Sequence, residues 1–139
     1  MIFHTYHSRS ERNIPDILEN GFNEKFIGKK GGFGLIFGRG IYTTTNLKYV
    51  SMYHPSCNKI LLCEIDTENY VEIELKDYTK NKKKFEEVDL LIIKDAEEYI
   101  CKNLDIIKVT KVLTVDKIFT KMGGQEVLTD VIIRDKKSV

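Results

Sequence analysis

Phe37-Gly38-Arg39-Gly40-Ile41-Tyr42 leads from a glycine-flanked turn into a strand that ends on an aromatic ring, and Tyr53 follows eleven residues after Tyr42. Rings on successive elements can form a flat slot with two π faces, and such a slot attracts a planar, positively charged ring. His7, at the end of an apolar, strand-like run, is a third candidate. The glycines do not form a dinucleotide fingerprint. After Gly32-x-Gly34 and Gly38-x-Gly40 the third glycine is missing, with Phe37 and Thr43 in its place. The Gly-Lys-Ser/Thr ending of a phosphate loop is also missing.

The elements that must carry these residues are short. Ile2 to His7 alternates as a strand, with Phe3, Thr5 and His7 on one face. Asn13 is placed to cap a helix that has Pro15 in its first turn and Gly21 past its end. Residues 23–36 read as a loop centred on Lys29-Lys30-Gly31-Gly32, and Ile41 to Thr44 as a strand. Asn46 can cap a helix over 47–53 that sets Tyr49 and Tyr53 one turn apart. Lys59 to Asp66 is a buried strand, and Val71, Ile73 and Leu75 alternate as a half-exposed one. The Lys-rich stretch 76–87 reads as a loop. Val88 to Ile93, Glu98 to Lys102 and Leu104 to Val115 read as strands, although Asp95-Ala96-Glu97-Glu98 could equally open a helix. Gly123-Gly124 turns a last hairpin into Val127 to Ile133. Many short strands with two or three short helices make an α+β domain.

The chain's 139 residues fit one domain, 1–139, with one core. No apolar run is long enough to cross a bilayer, and the expectation is of no secretory leader. A net charge of +1, from 22 basic and 21 acidic residues, makes no general case for nucleic acid or membrane as partner. Three cysteines without paired spacing (Cys57, Cys63, Cys101) fit a reduced, intracellular setting, cytoplasmic or nuclear. His54, Cys57 and Cys63 match no zinc pattern, so no metal is expected.

Three blocks resemble the catalytic domain of the poly(ADP-ribose) polymerase (PARP) family of ADP-ribosyltransferases. Tyr6-His7-Ser8-Arg9, with Ile17-Leu18-Glu19-Asn20-Gly21-Phe22 after it, is similar to the family's aromatic-His-Gly-Ser/Thr strand and the helix end that follows. Gly34 to Tyr42, Tyr53 and Lys59-Ile60-Leu61-Leu62-Cys63-Glu64 resemble its F-G-K-G-I-Y-F strand, second tyrosine and I-L-L-x-E-V strand. Phe85-Glu86-Glu87-Val88 and Glu98-Tyr99-Ile100 resemble its Y-D-S-V and E-Y-I-V segments. The blocks run from residue 3 to about 115. The hairpin at about 116–134 has no counterpart.

The resemblance implies two small packed, mainly antiparallel sheets around a cleft for NAD+, used as a co-substrate without a metal. The catalytic set would be His7, Tyr42 and Glu98. His7 would hold the adenosine ribose, Tyr42 and Tyr53 would stack on the nicotinamide, and the backbone of Ser8 would bind the carboxamide. Arg9, Gly40 and Ser51 complete the expected cofactor contacts. Glu98 would bond the nicotinamide ribose 2′-hydroxyl as an oxocarbenium-like transition state forms. ADP-ribose would then pass to a macromolecule, a protein first and a nucleic acid second, singly or as a polymer.

Two departures stand out. Ser8 replaces the family's glycine, and Val50 takes the place of a serine, with Ser51 one position later. Asp130 on a late strand is the rival acid, with Glu126 behind it. Two other functions compete: a non-catalytic module that binds NAD+ or ADP-ribose, and a tRNA 2′-phosphotransferase-like enzyme. The latter calls for several basic groups in the cleft, where the motifs supply Arg9, Arg12 and Arg39.

Overall fold

The computed structural model describes residues 1–27 and 36–139, so the centre of the expected 23–36 loop lies outside the described residues. The strands are β1 (Ile2–His7), β2 (Ile41–Thr44), β3 (Lys59–Asp66), β4 (Tyr70–Ile73), β5 (Leu90–Ile93), β6 (Glu98–Cys101), β7 (Ile107–Met122) and β8 (Gln125–Ser138). The helices are α1 (Ile14–Asn20), α2 (Leu47–Val50) and α3 (Leu75–Lys80). The class is α+β.

All eight strands hydrogen-bond into one sheet in the order β4-β5-β6-β2-β1-β3-β7-β8. Every neighbouring pair is antiparallel except β4 and β5. The expectation of two separate sheets therefore gives way to one continuous ladder, although its middle is weak. β1 and β2 share a single registered pair, Tyr6↔Thr44, whereas β1 and β3 pair from Ile2↔Asp66 to His7↔Leu61. Two halves of the sheet thus part company just beyond Tyr6, next to His7 and Tyr42.

The core lies on both faces. On one, Ile14 and Ile17 of α1, with Phe22 and Phe26, pack over Leu61, Cys63, Ile65 and Ile92. On the other, Phe37, Tyr78 and Phe85 cover Leu91, Ile93 and Ile100. β5 is therefore buried throughout, as expected of a strand covered on both faces, and each such aliphatic side chain contributes about 1.5–3 kcal/mol. Val50 packs with Ile60, Leu113 and Val115 in a third cluster.

Several expected boundaries move. The stretch 76–87 is α3 followed by a 3-10 turn at Lys82–Phe85, not a loop. Its apolar signal is only Tyr78 and Phe85, both buried, among solvated lysines. Asp95 holds the start of α3 by accepting the Leu75 amide at 2.9 Å. Lys94–Ala96 forms one 3-10 turn, and Glu97 then turns the chain with φ 53°, so Glu98 opens a strand, not a helix. The last hairpin is longer than expected. Gly123 (φ 60°) and Gly124 (φ 80°) supply the two positive-φ residues that a tight two-residue turn requires.

Candidate active site

Three adjacent strands bring the site together. His7 ends β1, Tyr42 lies on β2 and Glu98 begins β6. Antiparallel pairing sets Thr44 opposite both Tyr6 and Glu98, and Tyr42 opposite Ile100. The asparagine cap of α2, in which Asn46 Oδ1 accepts the Tyr49 amide at 2.9 Å, starts a short helix whose following turn delivers Tyr53. The result is a cleft of about 200 Å³ lined by His7 of β1 with Ser8 and Arg9 just beyond it, Tyr42 to Thr44 from β2, Val50, Tyr53 and His54 from the α2 region, and Glu98.

His7 closes the gap where the β1–β2 ladder fails. Its Nδ1 lies 2.7 Å from the Tyr42 carbonyl oxygen. A carbonyl only accepts, so Nδ1 carries the hydrogen and Nε2 presents a lone pair. Burial, reinforced by the Arg9 guanidinium, pulls the His7 pKa down to about 3, which keeps the ring neutral. Among the described residues Nε2 has no partner, nor do Ser8 Oγ and Arg9 Nε, although all three atoms are buried. Consecutive orphaned polar atoms lining one cleft are costly unless something polar occupies it. A hydroxyl-rich, anionic ligand fits them: Nε2 accepts from a hydroxyl, and the guanidinium attracts an anion. Arg9 is itself fixed, donating through Nη2 to the Phe26 carbonyl, with its guanidinium carbon 5.2 Å from the centre of that ring.

Tyr42 is held at both ends. Its hydroxyl donates to the Gly38 carbonyl at 2.6 Å and accepts the Phe37 amide at 2.9 Å, while its ring lies stacked against Phe37 with 6.3 Å between centres. Burial pushes its pKa up, so it stays a neutral phenol. Lys102 locks the same turn, donating to the carbonyls of Phe37 (2.9 Å) and Arg39 (3.4 Å).

Glu98 is 4% exposed. Its Oε1 accepts the Tyr53 hydroxyl at 3.0 Å, and the Tyr53 and Tyr49 hydroxyl oxygens are 2.8 Å apart. Desolvation raises the Glu98 pKa, with the two phenols opposing that rise. Tyr53 is also driven upward, first by burial and then by Tyr49 and the neighbouring carboxylate.

His7, Ser8, Arg9, Tyr42, Tyr53 and Glu98, all named from sequence, line this one cleft. Four other candidates named from sequence do not. Ser51 does not line the cleft: its hydroxyl donates to the Leu47 carbonyl at 2.7 Å, and Val50 faces the cavity instead. Gly40 has a packing role. A Cβ there would sit 2.7 Å from the Cys101 carbonyl oxygen and 2.8 Å from Ile100 Cγ2, so glycine permits the close approach of β2 to β6. Asp130 is exposed on β8 opposite Ile118, and its carboxylate accepts the Val131 amide. Glu126 is exposed at the hairpin tip. Neither belongs to the cleft.

Sequence reading missed Thr43, Thr44 and His54 as lining residues. The available signals were that Thr44 shares Tyr42's face of the strand and that His54 directly follows Tyr53. Burial, followed by Arg9 and Lys117, lowers the His54 pKa.

No helix among the described residues is long and apolar enough to cross a membrane. Comparison with protein-family models and with curated protein sequences finds no match to this chain.

Proposed function

We propose that this chain is an NAD+-dependent ADP-ribosyltransferase that moves ADP-ribose to a macromolecular acceptor. The convergence of a neutral His7, Tyr42, Tyr53 and a buried Glu98 on one cleft, with one buried polar atom on each of residues 7–9 unpartnered among the described residues, carries the reading. On this view the halves that part beside His7 correspond to the two sheets of the ADP-ribosyltransferase fold, and the cleft is the NAD+ site between them.

The chemistry follows from the side chains. His7 Nε2 would accept a ribose hydroxyl. The pyridinium ring would lie against Tyr42 and Tyr53, whose faces favour a cation. The Ser8 backbone would bond the carboxamide. Val50 supplies no hydroxyl there, a difference of about 0.5–1.5 kcal/mol in net binding. Glu98 would accept the 2′-hydroxyl of the nicotinamide ribose and stabilise positive charge that grows on the sugar as the C1′–N bond breaks. The acceptor nucleophile then bonds to C1′, nicotinamide leaves neutral and the acceptor loses a proton.

The cleft volume is below the 300–1,000 Å³ usual for a complete ligand site. It suits one ring and sugar, with the rest of the dinucleotide running out past Arg9. The site needs no metal on this reading. Three buried free thiols and the use of NAD+ are consistent with an intracellular location.

The test is incubation with labelled NAD+ and cell extract. Labelled macromolecule and free nicotinamide are expected, and both should form about 10²–10³ times more slowly in Glu98→Gln. NAD+ binding by calorimetry without nicotinamide release would favour the non-catalytic module.

A further inference from the structure

A second cavity of about 210 Å³ adjoins the cleft and shares Tyr42, Tyr53 and Glu98 with it, so Glu98 faces both spaces. Its remaining walls include Phe37, Tyr49 and Ala96. Resting on the transferase reading, we propose that this second cavity receives the guanidinium of an arginine side chain, which makes the chain an arginine-directed, single-transfer enzyme.

Charge and shape carry the assignment. Glu98 is 96% buried, taking its 4% exposure from the whole. Among the described residues no cation pairs with it, and only its Oε1 accepts a hydrogen bond. Its Oε2 is not among the buried unpartnered atoms, so this otherwise buried carboxylate is open from the cavities it lines to a positive partner or a donor. The four aromatic rings around it favour a flat cation. A guanidinium is planar, weakly hydrated and stacks on ring faces, whereas an ammonium is compact and strongly hydrated. The described walls contain no lysine or arginine. The pyrophosphate of a growing ADP-ribose chain, a nucleic-acid phosphate or an acceptor carboxylate would face Glu98 without a counter-charge. At the rim Tyr49, Tyr53 and Ile36 are each more than a third exposed, so among the described residues nothing closes the cavity off.

The step balances. The bond from C1′ to the nicotinamide nitrogen breaks, and its electron pair stays on nicotinamide. A guanidino nitrogen bonds to C1′ and gives up one proton, which Glu98 Oε2 passes to solvent. The products are nicotinamide, an ADP-ribosylated guanidinium and a proton.

The experiment supplies the full-length chain with NAD+ and agmatine, a free guanidine. Mass spectrometry follows the adduct while nicotinamide release is measured in the same tube. Parallel tubes hold peptides that carry glutamate, serine or lysine, and a single-stranded oligonucleotide. Agmatine should be modified in preference to all of these. Ala96→Lys, which sets a competing cation beside Glu98, should lower the ratio of adduct to nicotinamide by about tenfold, the scale of one charge-assisted contact. Agmatine should also shift the NMR signals of Tyr49 and Ala96 without NAD+ turnover. A carboxylate, hydroxyl, lysine amine or base modified in place of agmatine overturns the arginine assignment and leaves the transferase reading standing, whereas nicotinamide release with no adduct on any acceptor is hydrolysis of NAD+ and overturns both. Absence of nicotinamide release with every acceptor overturns both.

Discussion

Glu98→Gln should separate activity from stability, because the carboxylate opposes folding while it serves catalysis. The side chain is buried, and desolvation, the largest influence on it, raises its pKa above the ordinary carboxyl value. A carboxyl whose pKa is higher folded than unfolded binds protons more tightly in the folded state. Its favourable contribution is present at low pH and is lost as pH rises through the folded pKa. Glutamine has nearly the same shape, carries no charge, and keeps an oxygen for the Tyr53 hydroxyl now bonded at 3.0 Å. At neutral pH the variant should therefore melt no lower than the parent. Any advantage should shrink as pH falls and the parent's carboxyl takes up its proton. Catalysis should respond in the opposite way. Loss of a fixed charge beside a developing oxocarbenium is comparable with removal of an oxyanion-hole donor, a loss of about 10²–10³ in kcat, or about 2.7–4 kcal/mol. The parent's own activity should fall on the acid side at a pH above the ordinary carboxylate range. The assay pairs nicotinamide release with thermal melts across pH. Release within tenfold of the parent, or a variant melting clearly lower at neutral pH, would refute the argument, since either result would make Glu98 a structural group.

Three further outcomes follow from the same geometry. The neutral His7 resists protonation in the folded state, so acid should favour unfolding from about pH 6.5 downward, by about 2 kcal/mol at pH 5; His7→Gln should lose that dependence and raise KM for NAD+, as denaturant melts and kinetics would show. Tyr53→Phe removes the hydrogen bond to Glu98, and the lost bond to a charged group should lower kcat/KM by about tenfold or more while the stacking surface remains. Gly40→Ala pushes a methyl group against the Cys101 carbonyl and Ile100, and urea unfolding should register about 1–3 kcal/mol of lost stability.

What sequence alone settled was local. The alternation of Ile2 to His7 and the apolar run at Lys59 to Asp66 announced their strands, and Gly21, Asn46 and Gly123-Gly124 marked a helix end, a cap and a turn. The resemblance of the blocks around His7 and Tyr42 singled out residues that the fold does bring into one cleft. Tertiary packing decided the rest. A lone Tyr78 and Phe85 among lysines give too weak a periodic signal to reveal α3, which forms because the sheet has an apolar face to cover. Glu98 and Asp130 were rivals in sequence because each is an acid at or beside a strand. They differ only through pairing: β6 lies against β2 and buries its carboxylate at the cleft, while β8 sits at the sheet edge and leaves Asp130 in water. Ser51 and Val50 are neighbours in the chain, yet the pitch of one helical turn sends the hydroxyl to the Leu47 carbonyl and the apolar group to the cavity. Spacing along a chain names candidates. The direction of each side chain depends on non-local contacts, and those exist only once the sheet has formed.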